Sequence, residues 1–320
     1  MEERHVRLTS SEIAQLWTQF MNDSTSICML SYFLEKVEDQ EIKQILEYSL
    51  NISLSHIEKI TAFLTKENYA IPHGFKLEED VDTKAPRLFS DVYILHFVYQ
   101  MAKIGLLVYS TSLSASIRSD ITDYYMDCLT ETMNLYKLTK KLLLLKGLFT
   151  RPPYIHNNED VDDVKKQSFL LDVFGEKRPL LAMEISNLFT NLQRNILGAA
   201  TLTGFSQVAE HKEVKQFLLR GIDIAKKHIK LFGKKLEESN LPVPSTLNSE
   251  ITLCTDHIFS DKLIMFFTSA LNSLSVSYYG TAISQSFRGD LGVMYNRLSM
   301  EVQLYSEDGS NIMIKNKWIE

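Results

Sequence analysis

The hydrophobic and polar positions in the first half of the chain fit four long helical segments, at about residues 10–36, 40–67, 90–117 and 121–146. Four equivalent segments fit the second half. Only 12 Gly and 7 Pro occur in 320 residues, and this scarcity favours long helices over sheets and tight turns. Because 45% of the residues are hydrophobic, the pattern predicts an all-α protein with a sizeable core.

The two most apolar stretches of the chain are Val92–Leu107 and Leu263–Val276, and polar side chains interrupt both. His96, Gln100 and Lys103 lie in the first of them. A membrane span needs about 20 apolar residues without such interruptions. Both stretches are therefore predicted to be buried bundle helices, and no transmembrane segment is expected.

A whole domain occurs twice in the chain. A shift of 172 residues aligns Glu12–Pro72 with Glu184–Pro244 without a gap and with 17 identities in 61 pairs. After a loop, a shift of 170 residues aligns the motif S-x-S-x-R-x-D at 114–120 with the same motif at 284–290. This period is far too long for a solenoid, so it indicates the tandem duplication of one fold.

The connections between the predicted helices are short, long and short in each half, which is the connectivity of a ferritin-like four-helix bundle. A plain up-down bundle with a flexible middle loop is the alternative. The prediction is two tandem ferritin-like bundles, at residues 1–151 and 181–320. The linker at 152–180 contains an apolar part, Phe169–Phe174, which is predicted to pack between the bundles.

Several helix starts carry capping signals. Thr9-x-x-Glu12 has the form of a capping box before the first helix. Ser90 is predicted to cap the third helix, and Asp91 to complement the positive end of its dipole. The same roles are predicted at the equivalent positions of the second half, Ser260 and Asp261.

The repeated S-x-S-x-R-x-D motif has a structural interpretation at the turn between the third and fourth helices. Arg118 is predicted to lie at the end of the third helix, where a cation suits the free carbonyls, and Asp120 to cap the fourth. Arg288 and Asp290 repeat the pair. The alternative is an anion-binding site built on Arg118 and Arg288.

Charge and cysteine content restrict the classes of protein that the chain can represent. The net charge of −6 argues against a dedicated nucleic-acid binder, which needs a basic face. The three cysteines, Cys28, Cys128 and Cys254, are sparse and lie far apart, which is typical of reduced thiols in a cytoplasmic protein. The N-terminal sequence MEERHVRLTSSE lacks an apolar core, so no secretion signal is expected.

Common catalytic motifs are absent from the sequence. The chain has no G-x-S-x-G, no P-loop and no G-x-G-x-x-G. A ferritin-like di-iron site needs Glu-x-x-His on two helices. Ser53 and Ala225 stand three residues before His56 and His228, so neither bundle has that motif. These observations favour a protein that is not an enzyme.

One polar layer is predicted inside each bundle. The helix lengths place His56, Glu131 and Tyr109 at a similar depth, and His228, Glu301 and Tyr279 repeat the set. The structural interpretation is a hydrogen-bonded polar group in or beside the core. In the alternative, the layer binds one transition-metal ion or a small polar ligand. Asp23 on the first helix would then be a further ligand, although its counterpart is Asn195.

Several strings along the chain resemble one known family, the domain of unknown function 3231 family of spore-forming Bacillus relatives. The strings are MNDS at 21–24, FLEKVED at 33–39, HIEKIT at 56–61, APRLFSD at 85–91, RPPYI at 151–155, VKKQSFL at 164–170, FGEKRPL at 174–180, GFSQVAE at 204–210 and the closing EDGSNIMIKNKWIE. The resemblance covers essentially the entire chain. It implies tandem ferritin-like bundles and a link with sporulation, and it implies no activity.

Three functional hypotheses follow. The first is a non-enzymatic structural or interaction protein, cytoplasmic or spore-associated, with an unknown protein partner and no cofactor. The second is a degenerate ferritin-like binder of a metal ion or small ligand, using the His/Glu/Tyr layer. The third is association with a membrane surface through the apolar linker at Phe169–Phe174.

Overall fold

A computed structural model describes residues 6–155 and 178–320. Within them the chain forms eight long helices. In the first repeat these are α1 (Ser10–Lys36), α2 (Gln40–Lys66), α3 (Asp91–Ala115) and α4 (Ser119–Leu145); in the second, α5 (Ala182–Val208), α6 (Lys212–Glu237), α7 (Asp261–Gln285) and α8 (Gly289–Lys315). No strand is present among the described residues, which contain two isolated β-bridges. The prediction of an all-α fold built from two tandem helical halves is confirmed, and the first four helices end within two residues of their predicted bounds.

The connectivity within each repeat is short, long and short. Three residues join α1 to α2, and three join α3 to α4, whereas residues 67–90 join α2 to α3. Residues 238–260 form the equivalent long connection between α6 and α7. We call 67–90 the first crossover segment and 238–260 the second crossover segment. Whether the topology is specifically ferritin-like stays a prediction.

The chain divides into two compact units. The first unit contains the described residues of Met1–Phe149, with Glu250–Leu263 and Glu320. The second unit contains the described residues of Thr150–Ser249, with Ile264–Ile319. The predicted apolar part of the linker, Phe169–Phe174, lies outside the described residues, so its packing stays a prediction.

Helix starts in the first unit follow local hydrogen-bonding rules. Thr9 caps α1 and forms a full capping box with Glu12, as the sequence predicts. Asp39 caps α2, where its carboxylate accepts from the backbone of Glu41 and Ile42.

The long helices α2 and α6 are both followed by an asparagine in the left-handed region, Asn68 at φ 58° and Asn240 at φ 56°. Asparagine tolerates this conformation better than most residues. The same turn therefore ends the second helix of both repeats, with an asparagine at the equivalent position.

Each unit has its own apolar core. In the first unit, buried residues from α1, α2 and α4 pack together: Leu16, Phe20, Ile60, Leu64, Ile121, Tyr125 and Cys128. In the second unit, residues from α5 to α8 form the corresponding cluster, which includes Leu188, Leu192, Phe232, Tyr279, Tyr295 and Leu298. Cys28 and Cys128 are free and buried, which agrees with a role as small core residues.

Helix α3 is long and apolar enough, by length and composition, to cross a membrane. Tyr93, Ile94 and Val98 on this helix are nevertheless fully buried inside the first unit. Tyr93 stacks on Phe89 with ring centroids 3.9 Å apart. The helix therefore packs as a core helix of its bundle, in agreement with the interpretation of Val92–Leu107 as a buried segment.

Residues 250–260, the last part of the second crossover segment, pair with the first crossover segment inside the first unit. Isolated antiparallel bridges join Val81 to Phe259 and Phe89 to Ile251. At one end, the Ser90 N–H donates to the carbonyl of Glu250 at 2.9 Å. At the other end, the Ser260 N–H donates to the carbonyl of Asp80, also at 2.9 Å. The pairing is reciprocal, because a shift of 170 residues converts Asp80 to Glu250 and Ser90 to Ser260.

Gly221 in the second unit permits a close contact between two aromatic rings. Tyr305 stacks on Phe217 at 4.2 Å and donates to its carbonyl at 3.0 Å. A Cβ atom on Gly221 would overlap the Tyr305 hydroxyl. We expect Gly221→Ala to lower the free energy of unfolding by about 1–3 kcal/mol, because overpacking forces the ring out of place.

The matched control is Gly198→Ala on α5, where a Cβ atom would meet no heavy atom within 4 Å. This change should be neutral or stabilise by up to about 1 kcal/mol, because alanine is the better helix former. Urea unfolding followed by circular dichroism measures both. Equal effects of the two variants would contradict the close contact at Gly221.

Candidate functional site

The polar layer of the first unit is centred on His56. This side chain, on α2, is fully buried. Its Nδ1 lies 3.2 Å from Oδ2 of Asp23 on α1, and its Nε2 lies 2.9 Å from Oε2 of Glu131 on α4. Three helices therefore contribute one charged side chain each. The predicted layer residues His56, Glu131 and Asp23 are brought together.

Two neighbours that the sequence did not single out hold Asp23 in place. The Ser53 hydroxyl donates to Oδ1 of Asp23 at 3.0 Å, and the Gln19 amide donates to Oδ2 at 3.2 Å. Gln19 lies four residues, about one helical turn, before its partner Asp23 on α1. Ser53 lies about one turn before His56 on α2, and both side chains contact Asp23. This spacing is the signal that could have identified them.

The electrostatics of this layer favour a charged imidazole. Burial by itself lowers the pKa of His56, but hydrogen bonds, above all with Asp23, outweigh it and raise the pKa to about 12. The hydrogen bond from His56 in turn lowers the pKa of Glu131. The layer is thus an imidazolium between two carboxylates. Asp23 is almost completely buried, whereas the Glu131 side chain is 32% exposed.

Tyr109 has a weaker role in the first layer than the sequence predicts. Its hydroxyl lies 3.5 Å from Nδ1 of His56, at the limit of a hydrogen bond. The two rings meet edge to face, with centroids 5.7 Å apart. Burial raises the pKa of Tyr109 well above its ordinary value, so the phenol is neutral and acts as a packing wall of the layer.

The second unit contains the same layer with different chemistry. The Tyr279 hydroxyl lies 2.9 Å from Nδ1 of His228, and Nε2 of His228 lies 3.1 Å from Glu301. Asn195, the counterpart of Asp23, donates to the Tyr279 oxygen at 2.9 Å. Lys227 donates to Glu301 at 2.7 Å. Nδ1 of the histidine thus contacts the hydroxyl of Tyr279 in the second unit, whereas it contacts the carboxylate of Asp23 in the first.

The hydrogen-bond directions in the second layer are mutually consistent with a neutral imidazole. Because Asn195 donates to the Tyr279 oxygen, the Tyr279 O–H is free to donate to Nδ1 of His228. Nε2 then carries the proton and donates to Glu301. Burial lowers the pKa of His228, and the hydrogen bond with Glu301 offsets this only in part. The two histidines therefore differ in charge.

This difference predicts opposite responses to pH. The folded-state pKa of His56 lies above the ordinary value of about 6.5, so its contribution to stability is fully present below about pH 6.5 and is lost as the pH rises toward the folded pKa. The pKa of His228 is lowered, so the second unit loses stability as the pH falls below about 6.5.

The exchange of Asp23 and Asn195 tests this prediction. Asp23→Asn should lower the pKa of His56, because it removes the largest favourable interaction of the imidazolium, and Asn195→Asp should raise that of His228. NMR titration of labelled histidine side chains measures both values. Unchanged pKa values in both variants would show that these positions do not control the charge.

The geometry of the layers limits metal binding. The two ring nitrogens of an imidazole point in different directions, so Asp23 and Glu131 lie on different sides of His56 and do not converge on one ion. Within residues 6–155 and 178–320, no group of three or more His, Cys, Asp or Glu side chains is arranged to hold a metal. A single ion could reach His56 only after one of its carboxylate partners had moved away.

The repeated S-x-S-x-R-x-D motif forms an ion pair at the start of the fourth helix. Arg118 is itself the N-cap residue of α4, and its guanidinium binds Asp120 through two hydrogen bonds, of 2.9 and 2.6 Å. It also binds Glu67 at 2.7 Å. Arg288 and Asp290 repeat the pair at 3.0 and 2.9 Å. Both guanidiniums thus have partners within the protein.

These positions differ from the predicted ones. Helix α3 ends at Ala115, before Arg118, so the cation does not lie on its last carbonyls. Asp120 lies in the first turn of α4, where it pairs with the arginine instead of capping the helix. The reason is that a nearby guanidinium offers a carboxylate a stronger, bidentate partner than a backbone N–H does.

The serine caps of the third helices are found as predicted. Ser90 accepts from the backbone N–H of Tyr93 at 3.2 Å, and Ser260 accepts from that of Leu263 at 3.1 Å. Asp91 lies in the first turn of α3 and accepts from the backbone of Asp39 at 2.8 Å. Asp261 occupies the same position in α7.

Glu12 and Glu184 are structural residues whose full role the sequence did not reveal. Beyond its part in the capping box, Glu12 accepts from the backbone N–H groups of Ile117 and Arg118, at 3.0 and 2.9 Å. Glu184 binds Arg178 through its side chain and accepts from the backbone of Arg288 at 2.9 Å. In each unit a buried carboxylate thus joins the start of the first helix to the start of the fourth.

The fold and its two histidine layers define a class of protein: a duplicated helical protein with one buried histidine network in each half. The family described as "Protein of unknown function (DUF3231)" matches residues 1–161 and 168–320. The chain therefore belongs to this family, as the resemblance of its sequence indicates. No curated protein matches the chain.

A solved structure is similar to part of the chain. It belongs to a protein from Bacillus halodurans C-125 that is described as a candidate spore coat protein. The match covers 48% of this chain and 98% of the other, at 18% identity and with a TM-score of 0.42. A likeness at this level does not transfer a function.

Proposed function

We propose that the chain is a non-enzymatic structural or interaction protein, cytoplasmic and associated with sporulation. The observation that carries this proposal is the complete engagement of both layer histidines. Each ring nitrogen of His56 and of His228 has a hydrogen-bond partner in the protein. The histidines thus act as parts of the bundle.

The chemistry of the two layers supports this proposal. A histidine that binds a metal must offer an unprotonated nitrogen, and a general base needs a lone pair that faces a substrate. The protonated His56 has no lone pair to offer, and the Nδ1 lone pair of His228 accepts from Tyr279. Buried histidines whose two ring nitrogens are both hydrogen-bonded in this manner stabilise and specify a fold. The family's occurrence in spore-forming bacteria, which the resemblance implies, supports the link with sporulation.

The experiment is metal analysis of untagged protein beside a variant that combines His56→Ala with His228→Ala. The proposal expects no stoichiometric metal in either protein and a lower unfolding free energy in the variant. Stoichiometric iron, zinc or manganese that disappears in the variant would overturn the proposal. It would make a degenerate ferritin-like metal binder the primary hypothesis.

One observation favours a second candidate function, the binding of a small polar ligand in the first unit. Three buried polar atoms near the layer have no hydrogen-bond partner among the described residues: Oε1 of Gln19 and the hydroxyls of Tyr124 and Tyr125. Buried polar groups normally have partners, so a water molecule or a small hydrogen-bonding ligand would satisfy them.

Native mass spectrometry of the purified chain tests the binding of a small ligand in the first unit. A stoichiometric small molecule, retained by the wild type and lost in Tyr124→Phe with Tyr125→Phe, would support the second candidate.

A further inference from the structure

The two compact units carry opposite net charges. Among the described residues, the first unit contains 22 acidic and 15 basic residues, which gives −7, and the second contains 10 acidic and 15 basic residues, which gives +5. The duplication therefore produced an acidic unit and a basic one. Units of opposite charge on different copies of the chain attract each other, whereas two first units repel.

Apart from this net difference, two exposed charges are exchanged in sign between equivalent positions of the fourth helix of each unit. Asp127 and Lys137 are exposed on α4, and the duplication places Arg297 and Glu307 at the equivalent positions of α8. Both charges are thus inverted between the repeats. Among the described residues, Lys137, Arg297 and Glu307 form no ion pair, and Asp127 is no closer than 3.9 Å to Lys59.

Both helices also expose large apolar side chains beside these charges. On α8, Met300 and Leu304 are each 63% exposed. On α4, Met126 is 53% and Met133 49% exposed. Exposed apolar side chains that lie together between charged residues are typical of protein interaction surfaces. We call these surfaces the α4 face and the α8 face.

We propose that copies of this chain associate head to tail, with the α4 face of one copy against the α8 face of the next. If α4 of one copy packs parallel to α8 of the next and in register, Asp127 lies opposite Arg297 and Lys137 lies opposite Glu307. Each pair then has opposite charges. Packed antiparallel, the same helices would bring like charges level. The net charges of the units favour this pairing over one between two first units or two second units.

The proposal deepens the proposed interaction role, on which it rests, by naming the partner as a second copy of the chain. A contact between two different surfaces of the same chain is heterologous, so each copy keeps one free face of each kind. Such contacts close into rings or extend into open assemblies. The association should weaken at high ionic strength, because salt screens exposed charges.

Two charge-inverted variants test the proposal without changing the net charge. The first, Asp127→Arg with Lys137→Glu, gives the α4 face the charges of the α8 face. The second, Arg297→Asp with Glu307→Lys, does the reverse. Sedimentation velocity of the full chain, over a range of concentrations and at low and high salt, measures association. We expect each variant alone to associate at least about tenfold more weakly than the wild type, because like charges then meet.

Recovery of association makes the test specific. An equimolar mixture of the two variants, and a single chain that carries all four changes, should associate like the wild type, since both restore opposite charges across the contact. The control inverts one acidic and one basic residue outside the two faces, Glu35→Lys with Lys84→Glu, and should leave association unchanged. Circular dichroism verifies that every variant is folded.

Three results would overturn the proposal: a wild type that stays a single chain at every concentration, variants that associate as strongly as the wild type, or no recovery in the mixture. The alternative of two α8 faces that pair symmetrically and antiparallel predicts no loss of association in either variant. In that contact, position 297 of one copy faces position 307 of the other, and inversion of both charges still leaves opposite charges facing each other. If the chain does not self-associate, the proposed non-enzymatic role still stands and is tested separately by metal analysis. Failure of the association proposal is therefore distinguishable from failure of the proposed function.

Discussion

His56→Ala is expected to lower the free energy of unfolding of the first unit by about 3–5 kcal/mol. The change removes the positive charge that lies between Asp23 and Glu131 and leaves a cavity in a fully buried position. An ion pair buried in a protein contributes little net stability, but the removal of one partner strands the other charge. Here two carboxylates lose the same partner at once.

The matched control is His228→Ala in the second unit. This histidine is neutral, and Glu301 keeps its ion pair with Lys227, so we expect a smaller loss, of about 1–3 kcal/mol. Urea unfolding gives the free energies, and hydrogen exchange in α2 and α6 shows which unit has become less stable. An equal or larger loss for His228→Ala would contradict the assignment of the buried charge to the first layer.

Glu12→Ala is expected to destabilise the first unit by about 3 kcal/mol. The carboxylate accepts from the backbone N–H groups of Thr9, Ile117 and Arg118, and each unsatisfied buried donor costs about 1–3 kcal/mol. Burial raises the pKa of Glu12, but these backbone hydrogen bonds outweigh burial and lower it. Its contribution is therefore present above the ordinary value of about 4.3 and is lost as the pH falls through the folded pKa.

Glu184→Ala should have a comparable effect in the second unit, because Glu184 also accepts from the backbone at the start of the fourth helix. The control is Glu41→Ala, a residue in the first turn of α2 whose side chain is 65% exposed, and its effect should stay within about 0.5 kcal/mol. Thermal unfolding at neutral pH measures all three. If Glu12→Ala and Glu41→Ala had similar effects, the proposed link between α1 and α4 would be wrong.

The two halves keep the same framework but differ in their charged groups. The histidine of the layer and its glutamate are present in both repeats, whereas the third partner is Asp23 in one and Tyr279, supported by Asn195, in the other. The α4 and α8 faces differ in the same manner, through inverted charges on matching positions. Duplication allows such differences, because each unit needs only its own network to be satisfied.

Local rules in the sequence were sufficient for the helices and the duplication. Apolar spacing and scarce Gly and Pro predicted helix bounds to within two residues, and the Thr9–Glu12 capping box was found as expected. These features depend on residues that lie a few positions apart, so their physics is readable along the chain. The depth of His56 and Glu131 along their helices also placed them together, since helical rise is constant.

Only the tertiary structure shows which side chains the buried polar groups of the two histidine layers contact. Asp23 and Glu131 lie on different sides of His56 because their helices approach it from different directions, and the charge of the imidazole follows from that placement. Arg118 binds Glu67, which lies 51 residues away, and residues 250–260 pair with the first crossover segment, through contacts that local spacing does not determine. The sequence by itself determined where the helices form and that they form twice. Only the fold decided which charges are neutralised, because a buried charge depends on neighbours that are distant in sequence.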